Sequence, residues 1–83
     1  MATIDNVQIN KLADYYLRNV RWPHQEANLK ARQANNLDEK KRYNTLAFNC
    51  VDLENHIFFN WEVLGIKELV FNRALEIEKE LKT

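Results

Sequence analysis

Ile9-Asn10-Lys11-Leu12-Ala13-Asp14-Tyr15-Tyr16-Leu17-Arg18-Asn19-Val20 is the stretch whose reading decides the fold class. Ile9, Leu12, Ala13, Tyr16, Leu17 and Val20 recur at steps of three and four, which is one apolar stripe on the 3.6-residue period of an α-helix. Asn10, Lys11, Asp14 and Arg18 fall on the other side. Thr3 or Asp5 is placed to cap this helix, which then starts near Ile4 or Asn6. Trp22-Pro23 supplies the expected stop. A residue before proline is pushed out of the helical region, so the helix is expected to end near Arg21. Pro23 then suits the first turn of a second helix, where its missing N–H costs nothing.

Ala27, Ala31 and Ala34 form a narrow strip of small side chains that permits close approach of another helix. Asn35-Asn36 is the weakest helix-forming pair in the region, and a bend or short interruption is expected near residues 35–37. Asp38 and Glu39 suit the first turn of a renewed helix. Tyr43, Leu46, Ala47, Cys50, Leu53 and Ile57 continue as a stripe with helical spacing. Residues 57–64 are β-branched and aromatic enough to pass for a strand. The chain offers no partner strand, so this segment reads as helix or as a tight connection. Gly65 follows as a helix-ending residue or a close-packing point. Ile66, Leu69, Val70, Ala74, Ile77 and Leu81 give a last helix over about 66–81, with Phe71 and Leu75 widening its stripe. Glu76, Glu78, Lys79, Glu80 and Lys82 are expected on its solvent side.

Composition agrees with an all-α reading. The chain has 83 residues with one glycine and one proline, too few punctuators for a β-protein of that length. The expected architecture is one domain over residues 1–83, a small bundle of three or four helices whose long middle helix bends near 35–37. A domain this size buries a modest core and calls for tight helix packing or oligomerisation. Cys50 is the only cysteine, which excludes an internal disulfide. No signal peptide is read in residues 1–20 and no window is apolar enough for a membrane span, so a cytoplasmic location is expected.

The chemistry-bearing residues are sparse. Serine is absent, and Cys50 sits between Ala47 and Leu53 on an apolar stripe, where a thiol is usually a small hydrophobe. His24 and His56 lie far apart, and Asp52–His56 is an ordinary i,i+4 pair. One glycine cannot build a phosphate-binding loop. No catalytic residue, cofactor or metal site is therefore assigned, and the chain is read as a non-enzyme.

Two surfaces stand out instead. Phe58, Phe59, Trp61 and Val63 span both faces of a helix and cannot all enter one core, which marks them as a candidate partner or dimer interface. The net charge is zero but polarised. Residues 18–42 carry seven Lys/Arg against three acids, and residues 43–83 carry four against seven. Arg18, Arg21, Lys40, Lys41 and Arg42 form a candidate basic patch, with Trp22 and Tyr43 nearby as aromatics for base stacking. The functional expectation is a non-enzymatic protein-interaction module acting as a homodimer. Its small size and its eleven asparagines, typical of AT-rich genomes, point to an accessory or inhibitor protein of phage type that modulates a host or viral protein. The alternative is a small nucleic-acid-binding regulator using the basic 18–42 region.

Overall fold

The computed structural model describes residues 5–82. Thr3 and Ile4, named above at the first helix start, lie outside them. Asp5 is the observed cap: its Oδ1 accepts from the Gln8 N–H at 2.8 Å and opens α1, Asn6–Tyr16. Ile9, Ala13, Tyr16, Leu17 and Val20 are buried, as the stripe predicts, and Leu12 is half-buried against them.

The expected stop near Arg21 does not occur. A π-helical turn, Leu17–Arg21, carries the chain directly into α2, Trp22–Gln33, so residues 6–33 make one continuous rod. Trp22 keeps helical angles (φ −67°, ψ −44°) in spite of the proline after it, and its N–H bonds to the Leu17 carbonyl, five residues back. Pro23 would normally clash with the carbonyl four residues before it and leave that acceptor unpaired. The wider turn carries those carbonyls out of the α-helical ladder and relieves the conflict locally. The proline therefore produces a bulge here, and tertiary contacts of the flanking residues hold it.

The break at Asn35-Asn36 is real and complete. Ala34 is extended (φ −63°, ψ 138°), and Asn36 caps the next helix by accepting the Glu39 N–H at 2.8 Å. Helix α3, Leu37–Val63, runs back antiparallel to the rod. The Lys30 ammonium lies 5.8 Å from the Tyr43 ring centre, and Pro23 shares a groove with Cys50. Buried Ala27, Ala31 and Ala47 make α2 and α3 the most closely apposed pair of helices.

Residues 57–63 are the last two turns of α3. The helix ends on Gly65, whose φ is +74°: the Gly65 N–H bonds to the Glu62 carbonyl at 3.0 Å and the Ile66 N–H to the Trp61 carbonyl at 2.8 Å. Helix α4, Lys67–Lys82, then runs parallel to α1, with Phe71 beside Tyr16 and Glu78 beside Arg21. The bundle therefore has three rods, the first of them composite.

Two expected core positions and one expected surface position of α4 are corrected. Leu69 and Leu81 are exposed, and Glu78, expected in solvent, is buried. Leu46 and Leu53 of the α3 stripe also remain accessible. The cause is shared. Helices α3 and α4 each pack mainly on the rod and barely on each other, so their contact strips are narrow. The radius of gyration is 15.0 Å, against about 12 Å for a compact domain of this length.

Deleting exposed Asn19 should remove the extra residue of the wide turn and return residues 17–22 to an α-helical ladder, in which Pro23 clashes with the carbonyl four residues before it. Chemical denaturation should then show a loss of more than about 3 kcal/mol or no folded state. Gly65→Ala should cost about 1 kcal/mol in the same assay through its positive φ alone, because a Cβ there meets open space.

Candidate interaction surface

The aromatic segment divides cleanly between core and surface. Phe58 and Trp61 turn inward. Tyr16 lies 5.3 Å from Phe58, 6.2 Å from Trp61 and 6.0 Å from Phe71 between ring centres, and Phe58 meets Phe71 edge-on at 5.9 Å. These rings fill the space between α1, α3 and α4, and Trp61 is 6% exposed. Phe59 and Val63 point the other way, 68% and 71% exposed. Helical spacing forces the division: residues 58 and 61 share the inward line of α3, and 59 and 63 lie about 100° or more away from it.

Sequence reasoning missed two residues that extend the exposed half. Phe48 is 71% exposed and Leu37 is 65% exposed. Leu37, Phe48 and Phe59 recur every eleven residues, very nearly three helical turns, so they stand in line along one flank of α3. Val63 continues the line one turn beyond Phe59. That eleven-residue recurrence is the sequence signal for this line, and Phe48 lies off the inward stripe. Lys41, Asp52 and His56, all exposed, lie along the same flank. The result is a row of apolar anchors separated by polar side chains, the composition of a non-obligate interface.

The basic residues do not form one patch. Arg18 bonds to Asp14 at 2.8 Å and lies 6.0 Å from the Trp22 ring centre. Arg21 is drawn inward, its Nε donating to Glu78 Oε2 at 2.9 Å and its Nη2 to Oε1 at 3.3 Å. Lys40, Lys41 and Arg42 are exposed near the start of α3, beside the last turn of α2. About 20 Å of α2 separates the two groups.

Around the wide turn sits a polar cluster that explains Glu78. Its Oε2 also accepts from Trp22 Nε1 at 2.9 Å, so three donors satisfy the carboxylate. Arg21's hydrogen bonds hold the Glu78 carboxyl below its ordinary range, against the opposing effect of burial. On the other side of the turn, the Tyr16 hydroxyl donates to Glu54 Oε2 at 3.1 Å. Burial, reinforced by the Glu54 charge, pushes the Tyr16 phenol up from 10.0 to about 12. Every buried side-chain polar atom among the described residues has a partner, so this cluster reads as a clamp between helices. Cys50 is half-buried beside Pro23, Tyr43 and Leu46. Among the described residues no three His, Cys, Asp or Glu side chains converge as metal ligands. Among the described residues no helix is long and apolar enough to cross a membrane.

The Tyr16 shift carries a signed prediction. A raised phenol pKa means that its stabilising contribution is fully present below the ordinary value of 10.0 and lost as pH rises toward about 12. Denaturant midpoints measured across that window should fall by the equivalent of about 2 kcal/mol. Tyr16→Phe should remove most of the slope. Glu78 has the opposite sense: its contribution is present above the ordinary carboxylate range and is lost as pH falls through its lowered folded value.

No family model, no curated protein and no solved structure matches this chain.

Proposed function

We propose that this chain is a non-enzymatic protein-interaction module, with the Leu37–Phe48–Phe59–Val63 flank of α3 as its contact surface. The observation that supports this reading is the set of four large apolar side chains, each at least 65% exposed, aligned on one side of the longest helix. Scattered exposed apolar residues need no explanation, but an aligned set with aromatic anchors fits a contact surface. The elongated shape supports it too, because a thin plate of helices offers broad lateral surface and little enclosed volume. A protein of this kind acts stoichiometrically, by covering or tuning its target. The accessory or inhibitor role of phage type, directed at a host or viral protein, is the specific form we propose. The separation of the basic residues into two groups, one of them engaged by Asp14 and Glu78, leaves the nucleic-acid reading without comparable support.

Affinity capture with immobilised protein should retain bound protein with the wild type and lose it with a Phe59→Ala, Val63→Ala double variant. Circular dichroism should show unchanged helix content, since neither side chain supports the core. Undiminished capture by the double variant would remove the surface from this role. Phe58→Ala and Trp61→Ala are unsuitable probes, because both open the aromatic core.

A further inference from the structure

A groove of about 370 Å³ runs between the first turns of α1 and the turn that joins α3 to α4. Gln8, Lys11 and Leu12 come from α1, and Trp61, Leu64 and Ile66 from the end of α3 and the residues after it. The groove is separate from the exposed α3 flank, since Leu37, Phe48, Phe59 and Val63 do not line it. Its size is that of a small-ligand site, with mostly apolar walls and a few polar groups.

Two features give this groove a chemistry. The first is Trp61, which is 6% exposed. Its indole N–H has no acceptor among the described residues, unlike that of Trp22, which donates to Glu78. No sealed side-chain donor there goes unpaired, so the Trp61 N–H is open to the outside, and the groove is where Trp61 meets it. An indole N–H only donates, and holding it among apolar groups without an acceptor costs free energy that a bound acceptor recovers. The second feature is charge. Lys11 is the one charged side chain in the described lining, is exposed, and makes no ion pair. Gln8 stands nearly one turn before it, with its side-chain amide unbonded.

We propose that this groove binds a free medium-chain aliphatic carboxylate. The carboxylate accepts the Trp61 indole N–H and faces the Lys11 ammonium, while the alkyl chain lies against Leu12, Leu64 and Ile66. A hydrogen bond to an ionised acceptor is roughly twice as strong as a neutral one, and the cation beside it adds direction. The same lining disfavours a peptide. Peptide N–H groups need acceptors, and Gln8 alone among these side chains carries one. Flexible aliphatic walls suit an alkyl chain, whose burial supplies most of the affinity.

Titration of the full chain with octanoate below its micelle concentration, followed in ¹H–¹⁵N spectra, tests this site. The Trp61 indole signal should move downfield and saturate, while that of Trp22, already bonded to Glu78, stays in place. Octanol keeps the tail without the charge, and acetate the charge without the tail; each should bind at least about tenfold more weakly. Lys11→Glu should weaken octanoate binding by at least about tenfold with helix content unchanged by circular dichroism. Absence of a saturable Trp61 shift, equal movement of both indole signals, octanol binding as tightly as octanoate, or undiminished binding by Lys11→Glu would each overturn the assignment.

Discussion

The buried carboxylate of Glu78 ties the molecule together at its one irregular point. It receives Arg21 and Trp22, the residues on either side of the junction between the π turn and α2. Trp22 must stay helical before a proline, which costs free energy, and its indole N–H is satisfied only by that carboxylate. The wide turn, the proline and the docking of α4 are therefore mutually dependent. Removing the carboxylate would leave a guanidinium and an indole donor facing a poorly solvated space, which costs more than the pair itself contributes.

The rod that results serves two partners along its length. Its first half receives α4, and its second half receives α3. Side-chain size sets the spacing at each end. Ala27, Ala31 and Ala47 bring α2 and α3 together, whereas Tyr16, Phe58, Trp61 and Phe71 fill a wider gap among three helices. Close backbone approach at one end and ring packing at the other are both dense solutions, and together they splay the helices into a plate.

A plate of three rods satisfies few of its own apolar side chains. In a four-rod bundle α3 would be flanked on two sides, and residues about 100° from its inward line would be covered. Here α3 has one principal neighbour, so Phe48, Phe59 and Val63 stay outside. The functional proposal follows from that geometric shortfall. A core limited by chain length and a long helix with an uncovered flank make contact with another surface the economical way to bury those rings.

Sequence alone determined the helical class, the first stripe and an interruption near residues 35–37, because periodicity and cap chemistry are local properties; that the interruption reverses the chain, and that Gly65 ends a helix instead of serving as a close-packing point, was decided by the fold. The sequence also showed that residues 58–63 could not all face one way. The tertiary structure decided which of them face inward, since that depends on where α3 meets the rod. Only the fold could show that Pro23 produces a bulge: the turn is anchored by Glu78, more than fifty residues away, whose carboxylate accepts from the Arg21 guanidinium and the Trp22 indole N–H on either side of the junction. The burial of Glu78 and the separation of Arg21 from Lys40, Lys41 and Arg42 were equally out of reach, because charge counts along a chain carry no record of which partner lies across the space between helices.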